Sequence, residues 1–184
     1  MKKFWPLLIL LISSLFIISC DNSDDNDSNN NNVNVDYPAV FDLPPINLQQ
    51  NGKYDYATKN DFSGMLNQDF ILVYRKNQEN NVPFWEPLPL KIFINNISNN
   101  EINYSFNFIT NNVEIHLSLS PNFNFDLLTA NFESTYIKNQ TFRVVLVPAV
   151  YGNKNANAAD LHKMSYEDVI KKYNINDSNV TTLK

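Results

Sequence analysis

Between Ile102 and Leu119 the chain alternates apolar and polar residues so regularly that only one local structure suits it. Ile102, Tyr104, Phe106 and Phe108 are separated by Asn103, Ser105 and Asn107; after Asn111-Asn112 the pattern resumes with Val113, Ile115, Leu117 and Leu119 around Glu114, His116 and Ser118. A period of two places all the apolar side chains on one side of a strand, so the stretch predicts a β-hairpin with one wet face. Such a face needs a second layer to cover it.

Other segments supply that layer. Phe70–Tyr74 and Phe142–Val147 are apolar at almost every position, as expected of central strands covered on both faces. Leu90–Ile94 is a further strand, and Tyr54–Thr58 and the region from Phe125 to Phe132 are weaker ones, the latter equally compatible with an irregular connection. Pro83, Pro87 and Pro89 around Phe84-Trp85 remove ladder donors, so that segment is an edge strand or a proline-bounded loop. Ser165-Tyr166-Glu167-Asp168 opens as a capping box and predicts a short helix over about 166–173. The chain has 3 Gly against 32 Asn, and Asn takes over the turns because it tolerates the left-handed conformation. Asn51-Gly52, Asn80-Asn81, Asn95-Asn96, Asn99-Asn100 and Asn111-Asn112 are the expected reversals. Together these predict an all-β fold, an antiparallel β-sandwich of immunoglobulin-like or similar type with one short C-terminal helix.

That domain is expected over residues 37–184, preceded by two segments of different character. Residues 1–19 carry Lys2 and Lys3 ahead of an apolar run from Leu7 to Ile18, the pattern of a signal peptide. As a helix the run would reach only about 18 Å, short of the roughly 30 Å hydrocarbon core. Ile17-Ile18-Ser19-Cys20 resembles the bacterial lipobox, which implies recognition of Ile17, Ile18 and Ser19 by the lipoprotein signal peptidase and acylation of Cys20. Several acyl chains at about 0.8 kcal/mol per buried methylene anchor a protein stably, so the membrane is the expected partner. Residues 20–36 are Asn- and Asp-rich and form no core, which makes them a disordered tether with a root-mean-square reach of roughly 20–25 Å. Ser23-Asp24-Asp25 resembles the export signal of Bacteroidota lipoproteins, which implies an outer-membrane lipoprotein facing the cell exterior. The Asp25–Asn29 spacing is a poor calcium loop, lacking the central Gly and the distal Glu.

Chemistry is scarce in the rest. The single Cys is the lipid anchor, His116 and His162 are the only histidines, and three isolated Gly exclude the phosphate-binding and nucleophile-elbow motifs. Glu114, His116 and Ser118 share a strand face about 6.5–7 Å apart at each step, and polar alternation on a solvated face accounts for them. No catalytic residue, metal ligand or cofactor is assigned. With 14 basic and 19 acidic residues the chain is not a nucleic-acid binder by charge. Sugar recognition asks for little more than an exposed aromatic surface and amides, and Trp85, Tyr54 and Tyr56 are the candidate ligand platform, with Tyr37 nearby in composition.

The segments DFILVYRKNQENNVPFWEPLPLKIF, NYSFNFITNNVEIHLSL and NQTFRVVLVPAVYG, with the later SYEDVIKKYNI, resemble a family of small uncharacterised flavobacterial-type Bacteroidota lipoproteins. The resemblance spans roughly residues 68–176 and rests most on Val73-Tyr74, Trp85–Pro89, Asn139–Arg143 and Val147–Ala149. It implies a fold and a place, with no functional residues. The expectation is a non-enzymatic binding or scaffold module with a glycan or surface-protein partner. The alternatives are a carbohydrate-binding component of a glycan-uptake system and, more weakly, a hydrolase whose carboxylates are brought together by the fold.

Overall fold

The computed structural model describes residues 38–53, 55–61, 70–97, 99–109, 112–147 and 158–183. Among the described residues ten strands form two five-stranded sheets packed face to face. β1 (Ala39–Asp42), β4 (Phe70–Glu79), β5 (Val82–Pro87), β9 (Phe142–Val147) and β10 (Thr181–Thr182) make the first sheet, in the order β10-β1-β9-β4-β5. β2 (Gln49–Gln50), β3 (Asp55–Asp61), β6 (Leu90–Phe93), β7 (Glu101–Ile109) and β8 (Asn112–Leu119) make the second, in the order β2-β3-β8-β7-β6. The expected antiparallel β-sandwich with a short C-terminal helix is therefore what forms, with one parallel ladder at the β1–β10 edge.

The expected hairpin is β7–β8, with Ile102 opposite Leu119 and Tyr104 opposite Leu117. Its apolar face meets the first sheet in a core that includes Val113, Ile115, Leu117, Phe142, Val144 and Leu146, all at 0 % exposure. The apolar runs at β4 and β9 are explained by a second cluster on the outer face of the first sheet. There Val40, Leu72, Tyr74, Val145 and Val147 are covered by α2 (Ala158–Leu161), α3 (Tyr166–Tyr173) and the segment that follows. Fully burying a side chain of this size is worth roughly 1.5–3 kcal/mol, so two-sided burial makes β4 and β9 the spine of the sheet.

Local chemistry sets the boundaries. Glu79 pairs with Val82, leaving a two-residue loop in which Asn80 (φ 49) and Asn81 (φ 65) both take the left-handed conformation that a tight hairpin requires. β5 is an edge strand, as its prolines demand, and the chain leaves it through Leu88-Pro89 to start β6 on the other sheet. α3 begins where the Ser165 hydroxyl accepts the Asp168 N–H at 3.1 Å and ends at left-handed Asn174. Two helices depart from expectation: α2, and α1 (Ala130–Tyr136), which with a 3-10 turn over Phe125–Leu127 replaces the weak strand or irregular connection expected around 125–132 and whose N-cap Thr129 accepts the Phe132 N–H at 3.2 Å. α1 closes one end of the sandwich, where Phe132 and Ile137 enter the core.

Candidate functional site

Two polar regions stand out against this apolar frame. On the outer face of the first sheet, Asp42 of β1 and Arg143 of β9 are cross-strand neighbours. The Arg143 guanidinium donates to both Asp42 oxygens, Nε at 2.6 Å and Nη2 at 3.0 Å, and through Nη1 to the Tyr166 hydroxyl at 2.8 Å. Tyr166 in turn donates to the Asp177 carboxylate at 2.8 Å. Burial is the largest influence on the Tyr166 hydroxyl and pushes its pKa well above the usual tyrosine value. Trp85 completes the group, with its ring 4.2 Å from the Arg143 guanidinium carbon and 5.9 Å from the Tyr166 ring. The guanidinium, held against two aromatic rings and a bidentate carboxylate, has three of its five N–H donors engaged, so the cluster fastens α3 and the C-terminal segment to the sheet. Tyr74 joins the same cluster, packing edge-on against Tyr166 at 5.4 Å, whereas its neighbour Val73 faces the core between the sheets.

The second region surrounds α1. Arg75 of β4 points inward beside Phe142 and is buried, with Nε and Nη2 donating to Gln140 Oε1 at 3.1 and 2.8 Å and Nη2 to the Thr135 carbonyl at 3.0 Å. Glu86 approaches Nη1 at 3.6 Å, and the guanidinium carbon sits 4.9 Å from the Tyr104 ring centre. Tyr104 donates its hydroxyl to the Tyr136 carbonyl at 2.5 Å. These bonds tie the last turn of α1 to both sheets. They also leave a groove on each side of the helix, each of about 240 Å³. One is floored by Ile94, Leu127, Phe132 and Tyr136 and rimmed by Asn95, Thr129, Asn131 and Thr135. The other contains Arg75, Lys76, Asn77, Gln78, Asn139 and Gln140 among its walls. Among the described residues neither groove is lined by a carboxylate.

The residues singled out from sequence are dispersed. Trp85 lies against the outer cluster, whereas Tyr56 of β3 packs against the core between the sheets, so they do not share a surface. Tyr54 and Tyr37 lie outside the described residues, as do Ile17, Ile18, Ser19, Cys20, Ser23, Asp24, Asp25 and the whole 20–36 tether. His116 is paired with Glu114 at 3.3 Å and with the Asn107 amide at 3.2 Å on the solvated face of the second sheet. Among the described residues no three His, Cys, Asp or Glu side chains are grouped to hold a metal. The α1 groove was not legible in the sequence, since Asn95 and Asn131 are two of 32 asparagines and nothing local distinguishes them. No protein-family model, no curated protein and no solved structure matches the chain.

Proposed function

We propose that the chain is a lipid-anchored cell-envelope lipoprotein, displayed at the outer membrane and facing the exterior, whose β-sandwich serves as a binding or scaffold module. The observation that carries the reading is the order Lys2-Lys3, an apolar run from Leu7 to Ile18, and Ile17-Ile18-Ser19-Cys20 at its end. Acylated Cys20 holds the protein to the membrane, and the Asn/Asp-rich segment gives the domain its clearance. Among the described residues no helix is long and apolar enough to cross a membrane.

Metabolic labelling with radioactive palmitate tests the anchor. Label is expected on the wild-type chain and absent from Cys20→Ser, which accumulates as an unprocessed precursor; labelling and processing of that variant would overturn the reading. Protease shaving of intact cells then tests the display, with loss of the domain expected and full protection pointing instead to the periplasmic face.

The carbohydrate-binding alternative draws on one observation of its own: the groove formed by α1 and Asn95 combines apolar and aromatic walls with uncharged polar side chains.

A further inference from the structure

We infer that the groove between α1 and the Ile94-Asn95 turn is a subsite for an uncharged, hydroxyl-rich ligand, a neutral glycan residue. The inference deepens the binding-module reading above and rests on it.

Charge is the first constraint on the ligand. Among the described residues no Asp, Glu, Lys, Arg or His lines the groove, so a charged ligand would lose water there without gaining a counter-charge. An uncharged polar ligand faces no such penalty. The walls divide by chemistry: half-buried Leu127 and Tyr136, backed by the core side chains Ile94 and Phe132, give a small surface for the C–H face of a sugar ring, while Asn95, Thr129, Asn131 and Thr135 stand at the rim.

Hydrogen-bonding capacity points the same way. Thr129 accepts the Phe132 N–H at 3.2 Å, so its hydroxyl proton remains to be donated. Thr135 donates to the Asn131 carbonyl at 2.7 Å, so its oxygen remains to accept. Asn95 and Asn131 are exposed, and each amide carries two donor hydrogens and an acceptor oxygen. Donors and acceptors are therefore interspersed around an apolar floor, the complement of adjacent hydroxyls that both give and receive hydrogen bonds.

Size limits the ligand. A cavity of about 240 Å³ falls below the roughly 300–1,000 Å³ of sites for drug-sized molecules, which suits a single sugar ring with the remainder of a chain leading into solvent. Position makes it reachable. β1 runs from Ala39, beside Leu146, to Asp42, beside Arg143, and the chain continues to bridge Ile46 with Gln140 and Leu48 with Ile137. α1 thus lies at the end of the sandwich away from Ala39, where the described chain enters the domain.

The test uses the full-length protein purified in a zwitterionic detergent that carries no sugar headgroup. It is applied to an array of neutral and uronate-containing oligosaccharides, and the best responders are titrated in solution. Asn95→Gly keeps the left-handed backbone (φ 55) while deleting the amide, and Asn131→Ala removes a side chain that makes no hydrogen bond within the described fold. Binding of neutral glycans is expected, with affinity reduced about tenfold in each variant and lost in the double variant, and with melting temperatures unchanged within about 2 °C. Lys76→Ala, in the opposite groove, should bind as wild type.

Absence of glycan binding would overturn the inference. So would unchanged affinity in the double variant, or binding confined to uronates and lost in Lys76→Ala. If a variant were destabilised, amide chemical-shift changes on adding the best sugar to wild type would locate the contact, and changes confined to residues away from α1 would refute it. Palmitate labelling reports the anchor independently, so failure of the subsite and failure of the lipoprotein reading are distinguished.

Discussion

Replacing Trp85 by Ala separates a structural ring from a ligand-binding one. The side chain is partly buried, stacks on the Arg143 guanidinium at 4.2 Å and packs against the outer cluster of the first sheet. Truncating a fully buried aromatic residue costs about 3–5 kcal/mol, and partial exposure brings the packing loss to about 2. Losing the cation–π contact adds about 1 kcal/mol. For a domain of this size a loss of roughly 3 kcal/mol lowers the melting temperature by about 6–12 °C. Thermal unfolding should be followed by far-ultraviolet circular dichroism, since the substitution removes the indole fluorophore. Trp85→Phe should recover about half of the loss, because the ring contact with Tyr166 survives in part. Combining Trp85→Ala with Arg143→Met should give less than the sum of the separate losses by about 1 kcal/mol, the coupling of the stacked pair. A fall of less than about 2 °C in Trp85→Ala, with additive behaviour in the double variant, would refute the structural assignment and return the ring to the surface as a ligand contact.

Two further perturbations probe the helical layer. Ser165→Ala deletes the oxygen that accepts the Asp168 N–H and should cost about 1 kcal/mol, read as a melting temperature lower by about 2–4 °C; Ser165→Asp should restore it. His162 has its ring 5.7 Å from Phe106 and its Nδ1 buried with no hydrogen-bond partner among the described residues, and burial lowers its pKa from the ordinary 6.5. The unfolded chain therefore takes up this proton more readily, so the contribution of His162 to stability is complete above pH 6.5 and is lost as pH falls through the depressed folded value. Melting curves between about pH 7.5 and pH 5.5 should show stability falling with acid, by less than one proton per molecule. His162→Leu should flatten that slope; an unchanged slope would assign it elsewhere.

How much of this was readable in advance depends on the distance over which each feature is determined. The β7–β8 hairpin, the edge strand at Trp85 and the cap of α3 are set by neighbours within a few residues, and the sequence pattern announces them. α1 was obscured because Phe125, Leu127, Leu128 and Phe132 give neither a clean helical nor a clean strand period, while Thr129 is only one of several capping candidates. The dispersal of Trp85 and Tyr56 was beyond local reasoning altogether. Both are aromatics on strands, and only the sheet order puts one on an outer face and the other in the core between layers. The α1 groove depends on bringing Asn95 and Asn131 to the walls of one groove, a placement made by tertiary packing in a chain where asparagine serves chiefly as a turn residue.

The position of β1 between β9 and β10 fixes an order in time. Its first neighbour begins at Phe142 and its second at Thr181, so the opening strand of the domain waits for partners made about one hundred residues or more later. β6, β7 and β8 are consecutive neighbours that can associate without waiting for the end of the chain. The β6–β7–β8 pairings, like the β4–β5 hairpin, need no distant partner, whereas the first sheet closes only when Leu183 donates its N–H to the Asp42 carbonyl. A chain arrested before Thr181 would leave one side of β1 unpaired and available to chaperones or to a neighbouring copy.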